Sequence, residues 1–206
     1  MEKEITLVFH NQGLRSYIEV DLCAECPRQD DKGCCGYYSP VFYPTDLGYL
    51  YINQPDLLGH IFSLEHLTIL DASVTVNNII DGDSYRCKFH RKEGGCFLSQ
   101  NTRESICRHF VCPGVGWWQE EGMQNWWKFF DQLSNYEIQL NNRWSELLQE
   151  EGFSLRHPRQ REAIFKKFAD WYQGELSRVP DFIRQMPAEE RHTLHRALSF
   201  GTEWQL

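Results

Sequence analysis

The stretch 94-GGCFLSQNTRESICRHFVCP-113 decides how the rest of the chain is read, because it sets three cysteines behind a glycine turn. Gly94-Gly95 can form a tight turn that brings Cys96 back toward Cys87. Arg108 stands beside Cys107, where a cation would favour a thiolate. Working outward, the other cysteines lie at Cys23, Cys26, Cys34, Cys35 and Cys87, and none follows Cys112. Eight cysteines in 206 residues is about 4% of the chain, below the roughly 8–10% of a small disulfide scaffold. A chain of this length can bury a real core without cystine staples.

Composition narrows the classes. Hydrophobic residues make up 41% and charged residues 24%, with mean hydropathy −0.55, as in a soluble globular protein. A formal net charge of −8 argues against a general nucleic-acid or anionic-membrane binder. No run approaches the eighteen or so apolar residues of a membrane span. The start, MEKEITLVFHNQG, lacks the pattern of a secretory signal. The expectation is therefore a cytoplasmic protein with no nucleic-acid or membrane partner, in a compartment where clustered thiols bind metal or do redox chemistry.

The chain divides into a cysteine-bearing part, 1–116, and a cysteine-free part, 117–206. In the first, Ile5–Phe9 and Tyr17–Val20 read as a strand pair. Thr45 or Asp46 can cap a helix to about Tyr51, followed by helix around Pro55–Leu70. Val74–Ile80 and Tyr85–Phe89 flank Asp81-Gly82, a hairpin signal that would carry Cys87 into place. In the second part, Met123, Trp127, Phe130, Leu133, Leu140, Trp144, Leu147 and Leu148 recur at helical spacing, with a break at Glu137. A helix from about Glu120 to Glu150 would end at Gly152. Pro158 opens another, with Ile164, Phe165, Phe168, Trp171, Tyr172 and Leu176 on its apolar side, and Pro187 a shorter one carrying Leu194 and Leu198. The fold class expected is α+β: a small irregular cysteine-rich metal-binding core with short strands, then a helical C-terminal region packed on it.

Cys23-Ala-Glu-Cys26 has a metal-knuckle spacing, and Cys34-Cys35 follows seven residues later between Gly33 and Gly36. A second group runs Cys87-x8-Cys96-x10-Cys107-x4-Cys112, with Arg86, Lys88, Arg91, Lys92, Arg103 and Arg108 to offset thiolate charge. All eight cysteines are candidate metal ligands. Cysteine-only ligation suits zinc or an iron–sulfur cluster such as 4Fe-4S. Cys26-Pro27 and Cys112-Pro113 lean the choice toward iron–sulfur. His90 and His109 are alternative ligands, with surface or hydrogen-bonding roles as the competing reading.

The order Cys23-x2-Cys26, Cys34-Cys35, Cys87, Cys96 and Arg103-x3-Cys107-Arg108-x-Phe110 resembles the YkgJ-type cysteine-cluster family, a zinc- or iron-chelating domain, over about residues 20–115. The chain departs from that pattern in the long gap before Cys34 and in Glu104, where the family has proline. The resemblance implies a metal-binding protein with a structural or electron-transfer role. Through flagellin lysine N-methylase it implies, as the alternative, a protein lysine methyltransferase using S-adenosylmethionine, although no glycine-rich cofactor loop is evident. His192-Thr-Leu-His195 would put two imidazoles one helical turn apart. Trp117-Trp118 and Trp126-Trp127 read as core packing or as a surface for a protein partner.

Overall fold

The computed structural model describes residues 2–26, 34–91 and 93–197. Pro27, Gly33, the Cys34 side chain, Lys92 and Leu198 lie outside the described residues. Strands β1 (Glu2–His10) and β2 (Tyr17–Val20) form the expected antiparallel pair, with Leu7 opposite Val20. Short helices α1 (Asp21–Glu25) and α2 (Cys34–Tyr37) follow, then β3 (Val41–Phe42), α3 (Pro44–Asn53) and α4 (Pro55–Ser63). Pro44 and Pro55 each sit in a first helical turn, where a missing N–H costs nothing. Asp46 accepts the Tyr43 backbone N–H at 3.2 Å, capping α3 from inside its first turn.

Helix α4 ends at Ser63, short of the expected Leu70, because Leu67–Ile69 (β4) pairs with Val74–Val76 (β5). Strand β5 also pairs with β3, giving the order β3-β5-β4. The hairpin at Asp81-Gly82 forms from β6 (Ile79–Asp81) and β7 (Ser84–Arg86), with Asp81 opposite Ser84 across a turn in which Gly82 has φ 64°. After α5 (Ser105–His109), short 3-10 turns lead into α6 (Gln124–Glu150). Its 27 residues span about 40 Å. Past its end, the Gly152 N–H bonds to the Gln149 carbonyl and the Phe153 N–H to the Leu148 carbonyl, a Schellman closure of the last turn. Helices α7 (Arg161–Leu176) and α8 (Asp181–Arg184) complete the largely helical C-terminal region.

The segment after Pro187 is strand, not helix. Strand β8 (Glu189–Ala197) pairs antiparallel along all of β1, with Ile5 opposite Leu194, giving the order β2-β1-β8. Alternation then puts Glu190, His192, Leu194 and Arg196 inward. Glu190 accepts the Trp126 indole N–H at 2.7 Å, and Arg196 donates to the Val115 carbonyl at 2.8 Å. His192 and His195 therefore face opposite sides of a sheet, and the pair expected on a helix does not exist.

Two apolar cores flank α6. The first joins Ile5, Leu7, Phe9 and Ile18 to Trp117, Trp126, Phe129, Phe130 and Leu133. The second joins Phe42, Leu47, Leu50, Val74 and Phe89 to Leu148, Ile164, Phe165 and Phe168. Helix α6 turns Trp126 and Phe129 inward, whereas the expected Trp127 and Leu147 are exposed. Between the cores lies a buried ionic network. Arg15 binds Asp46 at 2.5 Å, and Arg108 binds Glu137 at 2.6 Å and lies 3.9 Å from Asp46, with all four side chains at most 2% exposed. Burial pushes the Glu137 carboxyl up, and Arg108 beside it opposes the shift.

Helix α3 meets α7 at Gly48, where an added Cβ would lie 2.5 Å from the Phe168 carbonyl oxygen. Gly48→Ala is expected to destabilise the fold by about 2 kcal/mol. Gly59, in α4, has nothing within 4 Å of its added Cβ. Gly59→Ala should stabilise by about 0.5–1 kcal/mol, so urea denaturation of the two variants should give shifts of opposite sign. A Gly48→Ala midpoint equal to wild type would show that α3 and α7 are not locked at this contact.

Candidate functional site

Five cysteines from separate segments reach one cavity of about 310 Å³: Cys23 from α1, Cys35 from α2, Cys87 just after β7, Cys96 and, from α5, Cys107. Backbone bonds between these segments put them there. The Cys87 N–H donates to the Cys35 carbonyl at 2.5 Å, and the Gly95 N–H to the Cys26 carbonyl at 3.2 Å. Gly94 and Gly95 have φ of 109° and 74°, values that a residue with a Cβ rarely adopts, and this turn folds Cys96 back toward Cys87 as expected. The Phe97 N–H then reaches the Phe89 carbonyl. The same cavity is lined by Phe42, Phe89, Leu98, Ile106 and Phe110, so the lining is largely apolar.

Among the described residues no group of three or more His, Cys, Asp or Glu side chains could hold a metal ion. The thiols are spread around a chamber instead of converging on a point, so neither a zinc site, a 4Fe-4S cluster nor a cysteine-rich metal-binding core is evident there, and the metal-binding, structural or electron-transfer reading falls with them. Cys26 and Cys112 are half-buried and are not among the cavity's lining residues; Cys112 packs against the first core. Cys34 opens α2. The methyltransferase alternative is corrected as well: every strand pair among the described residues is antiparallel, with no parallel Rossmann-like sheet.

The cations expected to offset thiolate charge have other work. Arg108 turns away from the cavity into the ionic network and also donates to the Ser16 carbonyl at 2.7 Å. Arg86 lies 3.3 Å from Asp81, Arg91 donates to the Cys96 carbonyl at 3.0 Å, and Lys88 to the Glu65 carbonyl. Arg103 donates to the Leu98 carbonyl at 3.2 Å. Each of these holds backbone or a carboxylate.

Glu104 is the residue that spacing did not single out as functional. It stands at the N-cap of α5, and its carboxylate accepts the Ile106 N–H at 3.0 Å and the Cys107 N–H at 2.7 Å. The Tyr38 hydroxyl lies 3.4 Å away. Burial, with Asp46 adding, pushes the Glu104 carboxyl up to about 7 against the partial relief of those N–H groups. Burial and Glu104 in turn push the Tyr38 phenol up. The readable signal was a single acidic residue immediately before a short amphipathic turn, Ser-Ile-Cys-Arg-His.

On the other side of α5 lies a second cavity of about 440 Å³, between α5 and α6, sharing Ile106 and Phe110 with the first. His109 lines it, with one ring nitrogen 3.1 Å from Ser134 Oγ and the other 3.2 Å from Arg108 Nη1. A guanidinium only donates, so Nε2 is the acceptor and Nδ1 carries the proton toward Ser134. Burial and Arg108 hold this imidazole well below its ordinary pKa and so neutral. A neutral ring that already donates to Ser134 is not placed to act as its general base. His109 thus takes the hydrogen-bonding role. Of the tryptophan block, Trp117 and Trp126 are core and Trp127 is 47% exposed. No described helix is long and apolar enough to cross a membrane.

No family model, no curated protein and no solved structure matches the chain. The likeness to the YkgJ-type family does not survive the geometry, since the chelating cluster that defines it is absent among the described residues.

The raised Glu104 carboxyl has a measurable sign. Between an ordinary value of 4.5 and about 7, the folded chain keeps a proton that the unfolded chain releases. Its contribution to stability therefore falls as pH rises through that window and is level above it. The stability of wild type minus that of Glu104→Gln is expected to decline by on the order of 2–3 kcal/mol from pH 4.5 to pH 7 in urea titrations. Taking the difference removes the opposite trend of the depressed histidines. A flat difference would mean that Glu104 titrates in the folded chain as it does in the unfolded one.

Proposed function

We propose that this chain is a small-molecule binding protein whose ligand occupies the thiol-lined cavity. The observation that carries the reading is the convergence of five separate segments on one chamber of about 310 Å³ with largely apolar walls. That volume is at the lower end of ordinary ligand sites, which combine apolar walls with a few polar groups. Thiols are soft, polarisable and weak hydrogen-bond partners, and they pack well against aromatic rings. The ligand class is accordingly a compact, mostly aromatic molecule with one polar substituent that meets Arg103 or Glu104. Cys23, Cys35, Cys87, Cys96 and Cys107 are proposed as its contact residues. The proposed setting is a reducing cytoplasm, where such thiols persist.

Indole tests the reading by calorimetric titration. Wild type is expected to bind one equivalent, and Leu98→Trp, which fills the chamber from a buried wall position, should weaken binding about tenfold or more. Cys35→Met gives a second, smaller filling, with thermal melting confirming that both variants are folded. Undiminished indole binding in both folded variants would sink the proposal.

A further inference from the structure

The break in the apolar stripe of α6 at Glu137 has a second consequence. Glu137 is 2% exposed and lines the second cavity. Its Oε1 accepts from Arg108 at 2.6 Å, while Oε2 is buried with no hydrogen-bond partner among the described residues. A carboxylate oxygen buried without a donor is costly, and such a cost is relieved when a donor arrives. The rest of the lining fits that donor. Tyr43, Ile106, Phe110 and Ile138 give apolar walls, Asn141 and Asn142 add amides, and no lysine or arginine is among the lining residues. Asn141 is itself held in place, since its Oδ1 accepts the Thr45 N–H at 2.9 Å.

We infer that the cavity between α5 and α6 is a second binding site, selective for a small protonated organic amine whose ammonium meets Glu137 and whose apolar body lies against Tyr43, Ile106 and Ile138. An ammonium supplies donors without accepting any, which suits an acceptor oxygen already flanked by Arg108. A neutral alcohol offers one weaker donor, and a carboxylate would be repelled. The site is distinct from the thiol-lined chamber: Ile138 and Glu137 belong to this cavity alone, and Leu98 to the other.

Phenethylamine, phenethyl alcohol and phenylacetate have one aromatic body and three different heads, so calorimetry with each on the full chain isolates the head group. The amine is expected to bind about tenfold or more tightly than the alcohol, with no binding of the acid. Glu137→Gln keeps the side-chain shape and should erase the advantage of the amine. Ile138→Trp, at a position 56% exposed on the rim, should weaken the amine about tenfold while indole binding in the other chamber is unchanged. Equal affinity for amine and alcohol in wild type would overturn the inference. So would an amine advantage that survives Glu137→Gln, or amine affinity unchanged in Ile138→Trp. If Glu137→Gln does not fold, the Ile138→Trp result decides alone.

Discussion

Four charges buried between two apolar cores hold this fold to one arrangement. Arg15 lies between β1 and β2, Asp46 in α3, Arg108 in α5 and Glu137 in α6, so the network joins four parts of the chain that share no local contact in sequence. A buried ion left alone costs several kcal/mol, so none of these elements can reach its place without the others. The network also supplies hydrogen bonds that the backbone needs. Arg15 donates to the carbonyls of Asn101 and Arg103 at 2.6 Å each, Arg108 donates to that of Ser16, and Asp46 caps α3. Tyr49 covers the Arg15 guanidinium at 4.4 Å and closes one side.

Elements specified by local chemistry were legible in the sequence. The β1–β2 pair, the turn at Gly82, the closure at Gly152 and the turns started by Pro55 and Pro158 each depend on residues a few positions apart. The break at Glu137 was also visible, although spacing alone reads it as a fault in an apolar stripe and not as the partner of an arginine 29 positions earlier. Strand β8 was not legible. Six of the nine residues of Glu189–Ala197 are Glu, Arg, Leu or Ala, good helix formers, and the segment follows a proline suited to a helix start. The β1 edge overrides that preference, because nine paired residues and the anchors at Trp126 and Val115 outweigh a small propensity difference.

The cysteines show the same limit more sharply. Their spacing suggests convergence on an ion, yet a one-dimensional pattern cannot show how far apart thiols lie in space. Convergence itself was real: the glycine turn does bring Cys96 back toward Cys87, and Cys23, Cys35 and Cys107 do reach the same chamber. What spacing missed is that Phe42 and Phe89, from β3 and the chain after β7, belong to the second core and present part of that core as cavity wall. Thiols that share a cavity with aromatic rings line it, whereas a metal needs three or more of them on one point, and no such group is present among the described residues.

The same reasoning explains why α5 matters beyond its length. Five residues are far too few for a helix to be stable alone. Its ends are what hold it: Glu104 satisfies the first N–H groups, and Arg108 in its last turn is fixed to Glu137 and the Ser16 carbonyl. Ile106 and Phe110, at and just past these anchors, form the wall common to both cavities. That partition is therefore only as rigid as the ionic network and the Glu104 cap behind it. A ligand against Ile106 in one cavity and a group contacting Cys107 in the other would touch the same short helix, which the network anchors through Arg108.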